Sequence, residues 1–257
     1  MLNTTRYDGP EGSIPLVIAH GLFGSSRNFA GVARSLSETR TVITVDMRNH
    51  GESAWSDSHA YPDLAADLAE VIDSLGTADL MGHSMGGKAS MVLALTRPQG
   101  LRRLIVADIA PVAYDHSQTD KIDAMETLDL SSITRRSEAD RQLVDLGIAP
   151  GYAGFFTQSL DLPNHRWRFN LAVLRKEMDR LVGFPDIDGR FDGPALFLSG
   201  GASDYVRPAH RDRIKTLFPK AVLAKLPGAG HLLHADRPKE FLAAVSAFLA
   251  AGDAQET

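Results

Sequence analysis

The sequence contains no cysteine among its 257 residues. This absence excludes a cysteine nucleophile, disulfide bonds and thiolate metal sites. An excess of basic residues is also lacking, because the formal net charge is −5, so we expect neither nucleic acid nor an anionic membrane surface as a partner. No apolar run approaches the length of a membrane-spanning helix, and the first residues carry no signal-like apolar segment. We therefore predict a cytoplasmic protein that does not associate with membranes.

Motifs for metals and nucleotides are missing as well. The sequence has no His-Glu-x-x-His helix and no Gly-x-x-x-x-Gly-Lys-Ser/Thr loop, and its histidines are scattered along the chain. The sequence therefore predicts a protein without a metal site or a cofactor.

What the sequence does contain is Gly-x-Ser-x-Gly at residues 82–86, the pattern of a nucleophile elbow. A short apolar run precedes the motif and a helix-forming run follows it, as expected for a serine between a strand and a helix. Glycine at positions 82 and 86 removes Cβ atoms that would collide where the two backbones approach. Ser84 is therefore the predicted nucleophile. The N–H of Met85, at the start of the helix, is one predicted oxyanion donor.

Apolar and β-branched runs alternate with helical patterns along most of the chain. This alternation predicts a mostly parallel, doubly wound α/β sheet with helices on both faces. The rhythm changes between residues 111 and 190, where short helical patterns occur without a buried strand. We therefore predict a helical lid at 111–190, inserted into a core formed by residues 1–110 and 191–257. The polar tail after Gly252 is expected to fray.

Polar side chains follow several predicted strands, at the edge where sites lie in open α/β sheets. The residues at these positions are His20, Asp46, Ser84, Asp108, Asp204 and His231. A serine hydroxyl needs a base within hydrogen-bond reach, and His231 is the predicted base because its glycine-flanked loop can carry the ring over the sheet edge. His234, three residues later, is the alternative base.

The motifs, in this order, resemble those of the α/β-hydrolase fold over nearly the whole chain. They are the His20-Gly21 turn, Asp46-x-Arg48-x-His50-Gly51-x-Ser53, the elbow, and Gly228-x-Gly230-His231. More narrowly, the chain resembles the small bacterial YbfF-like esterases. This match rests on His20-Gly21-Leu22-Phe23-Gly24, Arg48-Asn49-His50-Gly51, the elbow through Lys88, Asp108-Ile109-Ala110-Pro111-Val112, Trp167-Arg168-Phe169-Asn170 and Gly228-Ala229-Gly230-His231. The resemblance implies a serine hydrolase with the chain order serine, acid, histidine.

Two aspartates remain open as the acid that orients His231. Asp204 matches the usual hydrolase position, after the next-to-last strand. Asp108 follows the strand after the elbow helix, and the YbfF-like resemblance implies an acid there with a serine nearby, which maps onto Ser203. In that group the residue at the position of Asp204 is not normally acidic, so this chain departs from the narrower pattern.

The second oxyanion donor is predicted to be the Leu22 N–H, in the turn that His20 holds. Asp46 and Arg48 are interpreted as a structural pair that holds the adjacent turn. Aromatic and apolar side chains should line the acyl pocket, which indicates a short to medium acyl group. The predicted pocket residues are Phe23, Phe155, Phe156, Trp167, Tyr205 and Leu232.

These observations predict a serine hydrolase that cleaves carboxylic esters or thioesters of short to medium acyl groups through an acyl-enzyme on Ser84. One alternative keeps the same three residues but cleaves carbon–carbon bonds or performs perhydrolysis. Another is a ligand-binding protein with this fold that does not turn over a substrate. The expected assembly is a monomer or a small homo-oligomer.

Overall fold

Within residues 1–253, which the structure describes, a computed structural model of the chain contains nine β-strands and eleven α-helices. The strands are β1 (Asn3–Tyr7), β2 (Leu16–Ala19), β3 (Val42–Asp46), β4 (Ala78–His83), β5 (Leu101–Ala107), β6 (Leu160–Asp161), β7 (Arg166–Trp167), β8 (Ala195–Gly200) and β9 (Ala221–Leu226). The helices are α1 (Ala30–Leu36), α2 (Tyr61–Leu75), α3 (Met85–Thr96), α4 (Thr119–Thr127), α5 (Arg136–Asp145), α6 (Pro150–Thr157), α7 (Leu171–Lys176), α8 (Met178–Val182), α9 (Arg211–Leu217), α10 (Leu233–Asp236) and α11 (Pro238–Asp253). The tail that was expected to fray lies outside the described residues, except that α11 continues to Asp253.

Seven strands form one sheet in the order β1-β3-β2-β4-β5-β8-β9. Strand β1 pairs antiparallel with β3, and every other neighbouring pair in this sheet is parallel. Parallel neighbours require crossover connections, and the helices between the strands supply them. The predicted α/β-hydrolase fold, with a mostly parallel and doubly wound sheet, is confirmed.

The two faces of the sheet are covered by different helices. In β2, Leu16 and Ile18 pack in the cluster that includes α1 and α11, whereas Val17 and Ala19 pack in the cluster that includes α2, α3 and α9. Successive side chains of a strand point to opposite faces, so a strand covered on both sides reads as a continuous apolar run. No helix within residues 1–253 is both long and apolar enough to cross a membrane.

Helix α2 forms where the apolar spacing predicts it. Leu64, Leu68 and Ile72 recur at helical intervals and are buried on the face toward α3. Pro62 lies in the first turn, where no intrahelical donor is lost. Gly76 ends the helix with φ 77°, a conformation that suits glycine.

The chain between residues 111 and 190, called the helical segment below, leaves the sheet after β5 and returns before β8. It holds α4 to α8 and a two-stranded ribbon of β6 and β7. The pattern from Leu171 to Val182 predicts one helix, but the structure has two, which meet at Glu177. The ribbon strands are two residues long, too short to produce an alternating pattern in the sequence.

Candidate active site

Ser84 lies at the junction of β4 and α3 with φ 52° and ψ −117°, a strained backbone conformation for a residue other than glycine. The two motif glycines permit this turn. A Cβ atom on Gly82 would lie 2.3 Å from the Gly86 carbonyl oxygen, and a Cβ atom on Gly86 would lie 2.5 Å from the His20 carbonyl oxygen. The backbones approach so closely that only hydrogen fits at both positions.

A chain of hydrogen bonds runs from Ser84 to a buried carboxylate. The Ser84 hydroxyl donates to His231 Nε2 over 2.9 Å, and His231 Nδ1–H donates to Asp108 Oδ2 over 2.7 Å. Asp108 is fully buried, and it also accepts hydrogen bonds from Gly200 N at 2.8 Å and from the Ser203 hydroxyl. Three donors therefore hold the carboxylate in place. The arrangement has the donor order of a serine–histidine–aspartate triad.

The geometry favours Asp108 over Asp204 as the partner of His231. Asp204 is exposed, and its backbone carbonyl accepts a hydrogen bond from Arg207 Nε. The turn after β8 directs Ser203 toward Asp108 and leaves the neighbouring Asp204 side chain in solvent. Asp204, the second candidate acid, therefore lies outside the hydrogen-bonded chain.

His234, the alternative base, is also outside this chain. Its ring stacks on Phe29 with centroids 4.3 Å apart, and it contacts Phe241 from α11. Burial lowers the pKa of His234 to about 4, so the ring is neutral around pH 7. His234 is part of the packing between the sheet and its covering helices.

The two predicted oxyanion donors lie beside Ser84. Met85 follows the serine directly, and the turn that contains Leu22 is adjacent, since a Cβ atom on Gly21 would lie 3.2 Å from the Ser84 Cβ. Among the described residues, neither the Leu22 N–H nor the Met85 N–H has a hydrogen-bond partner. Both amides therefore have a hydrogen free to bind an oxyanion on the serine.

His20 holds the turn as the sequence predicts. Its Nδ1–H donates to the Gly21 carbonyl over 2.8 Å, and its Nε2 accepts from Met47 N over 2.9 Å. The predicted pair of Asp46 and Arg48 is wrong. Asp46 instead accepts hydrogen bonds from Ser26 N and Glu52 N. Arg48 is long enough to reach α2, where its Nε pairs with Asp67 at 2.6 Å.

A cavity opens between the serine and the helical segment. Five of the predicted pocket residues line it: Phe23, Phe155, Phe156, Tyr205 and Leu232. Trp167 does not, and this prediction is wrong. The Trp167 ring is buried against Phe169, and its Nε1–H donates to the Met125 carbonyl over 3.0 Å. The indole therefore packs within the helical segment, where it stabilises α4.

Comparison with known proteins shows to which family the fold belongs. A family model described as the alpha/beta hydrolase family matches residues 16–245. The chain belongs to the alpha/beta hydrolase family. This hydrolase is 39% identical over 261 residues to the sn-1-specific diacylglycerol lipase ABHD11 of Mus musculus, covering 97% of this chain and 85% of the lipase.

Two further relatives are esterases. The hydrolase is 37% identical over 245 residues to the esterase YbfF of Escherichia coli strain K12, covering 91% of this chain and 92% of that protein. A solved structure named "Marine microorganism esterase" has a TM-score of 0.89 and 36% identity, covering 96% of this chain and 98% of the other. These relatives confirm the predicted resemblance and the predicted enzyme class, a hydrolase that acts on ester bonds.

Lys88 also lines the cavity of this hydrolase, although the sequence alone predicts no role for it. It lies one helical turn after Ser84, a spacing that could have placed it on the cavity side of α3. Its ammonium donates to the carbonyls of Val182 and Gly183 and lies 4.7 Å from the Tyr114 ring centroid. Lys88 therefore ties the elbow helix to the end of α8.

We expect Lys88 to make the stability of the hydrolase depend on pH. Burial lowers the pKa of Lys88 from 10.5 to about 7 in the folded protein. Between pH 7 and pH 10.5 the unfolded chain binds more protons than the folded protein does, so the free energy of unfolding of the wild type should rise with pH. Urea unfolding at pH 7 and pH 9.5 should show the wild type gaining on the order of 2 kcal/mol relative to Lys88→Met. Parallel pH profiles for the two proteins would contradict this expectation.

Proposed function

We propose that the chain hydrolyses carboxylic esters or thioesters of short to medium acyl groups through an acyl-enzyme on Ser84. The observation that carries the proposal is the hydrogen-bond chain from Ser84 through His231 to Asp108, which opens onto an apolar cavity. The serine is exposed to the cavity, and its base and acid are already aligned. No rearrangement of these three side chains is needed before a substrate carbonyl is attacked.

In this mechanism Ser84 Oγ attacks the acyl carbon while His231 Nε2 takes the hydroxyl proton. Asp108 stabilises the imidazolium that forms and keeps the ring in the tautomer with Nδ1–H. The N–H groups of Leu22 and Met85 hold the oxyanion of the tetrahedral intermediate. His231 then protonates the leaving alcohol or thiol. In the second half-reaction His231 activates a water molecule, which attacks the acyl carbon and releases the acid and free Ser84.

We further propose that the helical segment acts as a lid over the acyl group. Phe155 and Phe156 from α6 line the cavity together with Phe23, whose ring contacts Phe156 with centroids 5.4 Å apart. Tyr205 forms another wall and stacks on the His231 ring at 3.9 Å. Aromatic walls of this kind fit an apolar acyl chain and restrict its length, which supports a short to medium group. Because one relative is named a diacylglycerol lipase, glycerol esters belong among the substrates to be tested.

The first test is hydrolysis of p-nitrophenyl esters from acetate to laurate, with a fluorophosphonate probe and peptide mapping in parallel. We expect turnover that peaks at a short or medium chain, and a covalent label on the Ser84 peptide. If Ser84 is labelled but no ester or thioester is cleaved, two further assays follow. Cleavage of a diketone would indicate the carbon–carbon hydrolase, and formation of a peracid from an ester and hydrogen peroxide would indicate the perhydrolase. Absence of both label and turnover would contradict the proposal and favour a non-catalytic ligand-binding protein. The cytoplasmic location and the monomeric or small homo-oligomeric state stay predictions.

A further inference from the structure

His50 lies in the turn after β3 and is fully buried. Its Nδ1–H donates to the Arg48 carbonyl over 2.9 Å, which leaves Nε2 as an acceptor. The Phe23 N–H donates to this nitrogen over 3.2 Å. Burial lowers the pKa of His50 well below its usual value, and the neighbouring rings of His20 and His59 lower it further. The imidazole is therefore neutral and can accept this hydrogen bond across the physiological pH range.

The turn that His50 contacts is the one that carries the Leu22 N–H. The Phe23 backbone adopts φ 59°, which is uncommon for a bulky residue and needs external support. The turn has three consecutive backbone amides, those of Leu22, Phe23 and Gly24. Gly24 N donates to the Gly21 carbonyl at 3.0 Å, and Phe23 N donates to His50. The Leu22 amide has no partner among the described residues. His50 thus fixes the peptide group that follows Leu22, while His20 holds the one that precedes it.

Contacts with the helical segment set the position of His50. Gly51 N donates to the Arg168 carbonyl at 2.8 Å, and Asn170 N donates to the Asn49 carbonyl at 3.0 Å. The Asn170 side-chain amide also donates to Asn49 Oδ1 at 3.0 Å. These bonds form a short antiparallel pairing of residues 49–51 with residues 168–170, in which His50 is opposite Phe169.

Aromatic packing reinforces the same connection. The Phe169 ring contacts both the His50 ring, at 5.5 Å, and the Phe23 ring, at 5.9 Å between centroids. All three side chains are buried. A displacement of residues 168–170 would therefore move the His50 imidazole, which accepts the hydrogen bond from the turn that carries the Leu22 N–H.

We propose that His50 is a positioning residue for the oxyanion hole and that it links this hole to residues 168–170 of the helical segment. This inference rests on the proposed function, because it assigns the Leu22 N–H to the stabilisation of an oxyanion. His50 does not touch the substrate. It acts by accepting the Phe23 N–H, so that the Leu22 N–H keeps its direction toward the carbonyl oxygen of the substrate.

The test compares His50→Phe, which keeps a buried ring but removes the acceptor, with His50→Gln, whose carbonyl oxygen can accept the Phe23 N–H. His50→Phe should lower kcat for a p-nitrophenyl ester about 10- to 100-fold with KM little changed, since losing a whole oxyanion donor costs about 10²- to 10³-fold. Its affinity for a trifluoromethyl ketone, which forms a tetrahedral oxyanion on the serine, should fall by the same factor. His50→Gln should recover most of both values.

His234→Phe is the matched control, because it replaces another buried histidine that lies outside the site. It should leave kcat and the affinity for the ketone unchanged. Asn170→Ala should give a smaller loss of kcat, and its effect should disappear in the background of His50→Phe, because both changes act through the same link. If His50→Phe does not fold, the smaller change His50→Asn, whose amide is too short to reach the Phe23 N–H, replaces it.

Wild-type kcat and ketone affinity in a folded His50→Phe or His50→Asn would overturn the inference while leaving the proposed function intact. Additive effects of Asn170→Ala and His50→Phe would overturn the link to the helical segment. If the wild type itself neither cleaves esters nor takes a fluorophosphonate label, the proposed function fails instead. The two failures are therefore distinguishable.

Discussion

Ser84→Ala is expected to lower kcat for ester hydrolysis by about 10⁶-fold, the loss found when a serine nucleophile of a triad is removed. Without Oγ no acyl-enzyme can form, and the base and oxyanion donors have no nucleophile to assist. The fold should survive, because alanine keeps the Cβ atom that the elbow already accommodates. Turnover, fluorophosphonate labelling and thermal unfolding of the purified variant measure these outcomes together.

Ser90→Ala is the matched control for this variant. Ser90 lies in the same helix, is buried, and donates its hydroxyl to the Gly86 carbonyl at 2.7 Å. Its removal should leave turnover within a few-fold of wild type, and Ser84 should still be labelled. If Ser84→Ala retained turnover comparable to the control, the acyl-enzyme mechanism on Ser84 would be wrong.

Asp108→Asn is expected to lower kcat by about 10³- to 10⁴-fold with little change in KM. The asparagine can still accept the Gly200 N–H, but its amide group would face His231 Nδ1. The imidazole would then carry its proton on Nε2, and it could not accept the proton of Ser84. The Asp108 backbone has φ 51°, which asparagine adopts readily, so the loss should be chemical rather than structural.

Asp204→Asn separates the two candidate acids. Because the Asp204 side chain is exposed and makes no contact with His231, this variant should retain wild-type kcat within about twofold, as expected for a surface substitution away from the site. The measurement is kcat for one p-nitrophenyl ester in the two variants and the wild type. A large loss in Asp204→Asn with near-normal turnover in Asp108→Asn would reverse the assignment of the acid.

The sequence was sufficient for the parts of the molecule that depend on local spacing. Helix α2 could be read from its apolar intervals, its early proline and its final glycine. The elbow could be read from the positions of Gly82, Ser84 and Gly86, because that turn needs those residues at those intervals. The glycine-flanked loop after the last strand was enough to predict that the His231 ring lies over the sheet edge.

The remaining parts depend on the directions of side chains after long-range packing. Asp108 and Asp204 both follow a strand, and the turn after β8 points Ser203 rather than Asp204 inward, so that Asp108 is the carboxylate hydrogen-bonded to His231. Trp167 and Phe155 are both aromatic residues of the helical segment, so the sequence does not distinguish them. Trp167 nevertheless packs inside the segment. From the sequence alone Lys88 would be taken for an exposed lysine, because only the folded structure shows that the end of α8 packs over it.

The direct pairing of β5 with β8 has a consequence for how relatives of this hydrolase can diverge. Leu104 pairs with Ala195 and Ala107 with Leu198, although the whole helical segment lies between them in the chain. The segment therefore leaves and re-enters the sheet at adjacent strands, and chain ends this close can tolerate inserts of different length. The entropy of closing a longer loop grows only slowly with its length. Evolution can thus exchange the cover of the cavity, and with it the accepted substrate, while the strands that hold Ser84 and Asp108 keep their register.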